Sequence, residues 1–326
     1  MLEITQSYTS NREGWDLGLR CTVDRERFDP SYRPLVIIPG YAMNSFIFGY
    51  HPTGLSLEGY LAQQGFEVWS ISMRGQGDAI WRGGDRLYGV KELVLSDIPA
   101  AIRAILARTQ TKQDRVDILG ASLGGTLMAA YVTMNPKPRV GSMVAIGAPL
   151  RWEVIHPLLK IAFSVPELVG MIPMGDTRKM VRAVYPLIER FPFLLKIYMH
   201  PEMTSREHIG EMIATVDQPN RVLNRQMARW FRHGDLVLEG INVTEAMRYV
   251  DLPILCILAN ADGIVPPETA RSILAYSGAK EKALIEVGDD TRRFAHADLF
   301  ISHYSQDMVF APMARWLKER YPSQSE

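Results

Sequence analysis

The sequence predicts an α/β fold: a mostly parallel, twisted sheet flanked by helices, with an inserted helical cap. Three observations predict it. A short continuous apolar run, Leu35 to Ile38, has the length and composition of a strand buried on both faces, and Val116 to Leu119 reads as another short strand. Segments of helical spacing alternate with them, and each strand-like run closes on Gly, Asp or Pro-Gly. Finally, strand-like runs stop at Pro149 and resume only at Pro253, and the segment between is apolar and broken by prolines.

In chain order, Trp15 to Val23 alternates loosely and reads as a first strand, followed by Leu35 to Ile38 ending at Pro39-Gly40. Helical spacing over Leu57 to Gln64 stops at Gly65, where a residue free to take positive φ ends the helix. Phe66 to Met73 is the next strand, ending at Arg74-Gly75-Gln76-Gly77. A long amphipathic helix is expected over Val90 to Ala107, with Pro99 an irregularity that the pattern does not explain. The strand at 116–119 runs through a tight turn into a helix, Thr126 to Met134, which stops at Asn135-Pro136. Val140 to Ile146, Pro253 to Ala259 and Ala283 to Val287 complete the strands. Pro267 to Tyr276 and a C-terminal run from Ser305 to Lys318 complete the helices. Residues 1–149 and 253–326 therefore read as one core domain. Residues 150–252, with Pro157, Pro166, Pro173, Pro186, Pro192 and Pro201, read as a cap of short helices.

Composition narrows the function. At 326 residues the chain can bury a substantial core, and 36 basic residues balance 36 acidic ones, which removes the electrostatic case for nucleic acid as a partner. Cys21 and Cys256 lie far apart in apolar runs and read as buried thiols, and no spacing of His and Cys suggests a metal. No cofactor is expected. The N-terminus lacks the basic start and apolar stretch of a signal peptide, and no uninterrupted apolar run is long enough to span a bilayer, so a cytoplasmic location is expected.

The chemistry concentrates in Gly120-Ala121-Ser122-Leu123-Gly124, a G-x-S-x-G turn between a strand and a helix. So sharp a turn brings neighbouring backbone close to the serine, and glycine at 120 and 124 removes the Cβ that would obstruct it. A serine hydroxyl needs a base, and of seven histidines His296 is the one placed by architecture, in the loop after the last strand. His303 is the fallback, and His51 has no positional argument. The base needs an acceptor to fix its tautomer. Asp262, just past the strand at 253–259, gives the chain order Ser…Asp…His; Asp289 and Asp298 are rivals, and capping of the helix near Pro267 is the alternative role for Asp262. The oxyanion donors are expected to be the N–H of Leu123, after the nucleophile, and the N–H of Tyr41 in the Pro39-Gly40-Tyr41 turn, with Ala42 as fallback.

These residues resemble the α/β-hydrolase family over nearly the whole chain outside the cap. Ser72-Met73-Arg74-Gly75-Gln76-Gly77 is similar to that family's D-x-R-G-x-G stretch, with Ser72 in place of aspartate, and Ile38-Pro39-Gly40-Tyr41 is similar to its H-G oxyanion segment, with proline in place of histidine. Asp262-Gly263-Ile264-Val265-Pro266 and the helical insertion resemble lipase-like and polyhydroxyalkanoate synthase/depolymerase-like branches. Synthases of that type carry cysteine as nucleophile and haloalkane dehalogenases carry aspartate, so Ser122 favours hydrolysis.

The expected function is a serine hydrolase cleaving carboxylic esters through an acyl-enzyme on Ser122, with a lipophilic small-molecule substrate suggested by the apolar cap. An acyltransferase or thioesterase using the same acyl-enzyme is the alternative, and a non-catalytic binding protein of the same fold a more distant one. The greasiest stretch, 154–174, either packs on the core or forms a lid, in which case Leu158 and Phe163 would shape acyl-chain preference.

Overall fold

The computed structural model describes residues 1–163, 178–179, 195–205, 209–218 and 220–321. Its strands in chain order are β1 (Leu2–Ser10), β2 (Trp15–Asp24), β3 (Leu35–Ile38), β4 (Val68–Ser72), β5 (Ile80–Trp81), β6 (Val116–Ala121), β7 (Val140–Ile146), β8 (Val237–Leu238), β9 (Ile241–Asn242), β10 (Ile254–Ala259) and β11 (Lys282–Val287). One sheet takes the order β1-β2-β4-β3-β6-β7-β10-β11, with β5 beside β2, while β8 and β9 form a separate short hairpin. From β4 to β11 neighbouring strands run parallel, and β1 and β2 are antiparallel.

Every residue of β3, β6 and β10 is buried, and β3 and β10 accordingly read as unbroken apolar runs; β6 also buries Asp117, which is paired with Arg33 and Ser142. Successive side chains enter opposite layers, as a period of two requires: Val36 and Ile38 join one core, Leu35 and Ile37 the other. The first core includes the helices Ile98–Arg108 and Leu123–Met134; the second includes Leu57–Gln63 and Ala311–Lys318. The edge strand β11 alternates instead between exposed and half-buried positions. Cys21 and Cys256 are buried free thiols, each pushed up to about 12 by burial.

Several features differ from the pattern expected of the sequence, among them the hairpin β8–β9, which falls inside the segment expected to hold no strand. Strand β1 was not anticipated, because its mostly exposed, polar side chains carry no apolar signal; backbone pairing with β2, from Leu2 opposite Asp24 to Ser10 opposite Asp16, holds it. The long helix beginning at Val90 contains a π turn, Leu93–Asp97, in which Ile98 N–H bonds Leu93 O, and Pro99 follows at once. The C-terminal helix repeats the device: π turn Gln306–Phe310, Ala311 N–H to Gln306 O, then Pro312. The wider turn accommodates a proline that has no N–H and crowds the carbonyl four residues back.

Between β7 and β10 the described residues form short helices, Pro157–Ala162, Ile209–Met212, Arg221–His233 and Val243–Met247. Val243 and Met247 are fully buried in the first core, so the end of this segment packs into the sheet domain. Among the described residues no helix is long and apolar enough to cross a membrane.

Candidate active site

Ser122 stands where β6 meets the helix Leu123–Met134, with φ 53° and ψ −126°, a conformation that a residue with a Cβ rarely adopts. Its N–H donates to Ile146 O of β7 at 2.9 Å, and its carbonyl accepts from Gly125 N–H at 3.0 Å, so neighbouring strand and helix fix the turn. Both flanking glycines are required by close approach. A Cβ on Gly120 would stand 2.4 Å from Gly125 Cα, and one on Gly124 would stand 2.1 Å from Ile38 O.

The loop after β3 lies directly against this turn: a Cβ on Gly40 would be 2.9 Å from Ser122 Cβ. Ala42 in that loop takes φ 54°. Among the described residues the N–H groups of Tyr41, Ala42 and Leu123 donate to no protein acceptor, while the Tyr41 hydroxyl donates to Asn224 Oδ1 at 2.5 Å. Unpaired donors beside a serine are what an oxyanion would use, and they leave Tyr41 and Ala42 both eligible.

Asp262 follows β10 and is buried, at 4% exposure. One carboxylate oxygen accepts the N–H groups of Ile264 and Val265, both at 2.8 Å, and the other lies 2.6 Å from His296 Nδ1. With Nδ1–H donating to the carboxylate, Nε2 is the nitrogen left to accept. Asp262 does not cap the helix Pro267–Tyr276, whose cap position is Pro266. His296 is buried and held closely from below, where Gly147, at φ 52°, passes beneath the imidazole.

The alternative residues are occupied elsewhere. His303 Nδ1 pairs with Thr53 Oγ1 at an exposed position, and His51 Nε2 bonds Ser302 O and Ser305 Oγ. Asp289 accepts bonds within its own exposed loop, from Thr291 and Arg292. Asp298 is wholly buried and accepts from Ala295 N–H, His200 N–H and Thr204 Oγ.

Segment 195–204 is a part of the site that sequence reasoning missed. Ile197 O accepts from Gly263 N–H at 3.1 Å and Tyr198 O from Ala297 N–H at 2.8 Å, so one segment braces the neighbours of both Asp262 and His296. These are backbone contacts, and no residue pattern announces them.

Ser122 and His296 line one cavity of about 290 Å³, whose other walls include Met43, Ile47, Val216, Ile264 and Phe300. Apart from Ser122, Thr215, Tyr41, Tyr198 and the imidazole, its lining is apolar. Leu158 is 42% exposed and Phe163 stacks on Phe231 at 4.8 Å, and neither lines this cavity. Residues 164–174 of the expected lid lie outside the described residues. Among the described residues no three His, Cys, Asp or Glu side chains are grouped to hold a metal ion.

Several known proteins are similar to this chain. A poly(3-hydroxyalkanoate) polymerase subunit PhaC of Thiocystis violacea is 23% identical over 64% of the chain, and the match spans 61% of that subunit's length. A pimeloyl-[acyl-carrier protein] methyl ester esterase of Vibrio campbellii is 22% identical over 73% of the chain and 80% of its own length. The crystal structure of a thermophilic esterase from Thermogutta terrifontis superposes with a TM-score of 0.62 at 14% identity, covering 98% of this chain and 99% of its own, which is a likeness of fold. The family model for serine aminopeptidase, S33, matches residues 54–287. With that match spanning more than half of the chain and most of the sheet, the chain belongs to the S33 family of α/β hydrolases.

Proposed function

We propose that this protein is a serine esterase that cleaves carboxylic esters of small lipophilic molecules through an acyl-enzyme. Ser122 attacks the carbonyl, and His296 Nε2 takes the proton and returns it to the leaving alcohol. Asp262 holds the imidazole by Nδ1, and the N–H groups of Leu123 and Tyr41 receive the oxyanion. Water, activated by the same imidazole, then releases the acid. The observation that carries this reading is the 2.6 Å contact between His296 and Asp262 in a cavity wall shared with a strained Ser122.

The cavity's apolar lining supports an uncharged acyl or alcohol group, and its volume of about 290 Å³ lies at the small end for ligand pockets, roughly 300–1,000 Å³. Met43, Val216 and Ile264, rather than Leu158 or Phe163, are therefore the side chains in position to set chain-length preference. Every residue named in the reaction lies within 1–149 and 253–326, while the inserted segment between them contributes Val216 to the cavity wall and packs its end, Val243 and Met247, into the sheet domain.

The test is hydrolysis of p-nitrophenyl esters from acetyl to palmitoyl by the wild type and by Ser122→Ala. Turnover that the substitution abolishes supports the reading; turnover that survives it, or none on any ester, overturns it. Likeness to a polymerase favours one second reading, transfer of the acyl group to an alcohol instead of water. Acyl products formed with added alcohols would reveal it.

A further inference from the structure

Residues 215–217 pair with the loop that follows β3. Asn44 N–H donates to Thr215 O and Asp217 N–H donates to Ala42 O, both at 2.9 Å, with Met43 opposite Val216 in an antiparallel bridge. Asp217 then closes this pairing with its side chain. One carboxylate oxygen accepts from Asn44 Nδ2 at 3.1 Å and from Arg178 at 3.0 Å, and the other accepts from Gly77 N–H at 2.7 Å. Four otherwise separate segments thus meet on one carboxylate that is 12% exposed: the loop after β3, the Arg74–Gly77 turn after β4, Arg178, and the segment before the helix Arg221–His233.

Ala42 gives this arrangement its purpose. Its φ of 54° costs a residue with a Cβ about 1 kcal/mol, and the bond from Asp217 N–H to its carbonyl holds it there. Its own N–H and that of Tyr41 before it belong to the loop that lies against Ser122, where Gly40 approaches Ser122 Cβ. Gly77 also comes close enough that a Cβ would stand 3.2 Å from Asn44 Cβ, so the turn after β4 backs the same loop.

We propose that Asp217 is a positioning residue for the oxyanion loop: by tying Asn44 and Gly77 together it holds Ala42 left-handed and keeps the Tyr41 and Ala42 amides aimed at Ser122. This rests on the esterase reading above. Asp217 touches no reacting atom, so its removal acts on the transition state through the loop and leaves ground-state binding nearly unchanged.

The experiment compares wild type, Asp217→Ala and the milder Asp217→Asn, which keeps one acceptor oxygen. Two readouts are used: ester turnover per site titrated with a fluorophosphonate, and hydrogen exchange of peptides covering 40–48. Losing one oxyanion donor costs about 10²–10³-fold in kcat, so loosening the loop that carries it is expected to cost Asp217→Ala about 10–100-fold, and Asp217→Asn less, with KM within about twofold. Exchange in 40–48 is expected to rise while peptides covering 116–121 stay protected. Unchanged exchange in 40–48 overturns the proposal whether or not the protein hydrolyses esters. So does kcat per titrated site within twofold of wild type in an active enzyme. Should wild-type turnover be absent or survive Ser122→Ala, the esterase reading fails instead, and the exchange result alone decides whether Asp217 holds the loop.

Discussion

Gly147 runs directly beneath the imidazole of His296, so close that a Cβ added to it would stand 3.1 Å from Cε1 and 3.2 Å from Nδ1. Its φ of 52° also suits glycine far better than any other residue. Gly147→Ala is therefore expected to cost about 1–2 kcal/mol of stability from the left-handed backbone alone. The ring then has to give by a few tenths of an ångström, and kcat is expected to fall by less than the 10²-fold that roughly 1 Å of misplacement costs. A thermal melt with a kinetic assay separates the two effects. A lowered melting temperature with full turnover would show that the imidazole's position is not set by this contact.

In the proposed mechanism Asp262 fixes both the orientation and the tautomer of His296, since its second oxygen is already held by the Ile264 and Val265 amides. In Asp262→Asn the remaining oxygen keeps those two amides, and the new –NH₂ faces Nδ1, forcing the proton to Nε2. Turnover is expected to fall on the order of 10⁴-fold with the fold intact. A loss smaller than tenfold would remove Asp262 from the triad.

Asp298 makes the junction between segment 199–204 and the His296 loop sensitive to pH. Burial pushes its carboxyl up to about 7, against the pull of bonds from Ala295, His200 and Thr204, and the nearby Asp262 charge adds to the rise. The folded state therefore holds a proton that the unfolded chain releases near its ordinary value of 3.8. This contribution to stability is complete below that value and is lost as pH rises through about 7. Asp298→Asn should thus gain on the wild type in melting temperature between pH 5 and pH 8. A difference between the two proteins that does not change with pH would rule out titration of this group.

The sheet was legible where burial left a chemical signature. Leu35–Ile38 matches to the residue because a strand covered on both faces is apolar throughout, and Val140–Ile146 matches as well although it buries Ser142. The strand expected at 116–119, which runs on to Ala121, the turn at Ser122 and the loops of Asp262 and His296 could be read because glycine, aspartate and histidine occur at strand ends in a recognisable order. Strand β1 could not, since backbone pairing holds it and leaves its side chains free to be polar. Nor could the π turns, because Pro99 and Pro312 signal a disturbance but not the geometry that relieves it. The brace from Ile197 and Tyr198 was invisible for a related reason: its partners are main-chain groups, which every residue carries. The partners of the Asp217 carboxylate, Asn44, Gly77 and Arg178, are distant in sequence and form no local pattern.

A backbone held at φ 53°, ψ −126° makes Ser122 a local liability that the rest of the fold has to restrain, by about 1–3 kcal/mol. Glycine would occupy the same position at ease. With Ser122 as the proposed nucleophile, the sturdiest version of this protein is thus one that has lost that hydroxyl, and a search for heat resistance alone would drift toward an inert molecule. Durability and reactivity compete at a single residue, so any programme to toughen this enzyme has to select for both at once.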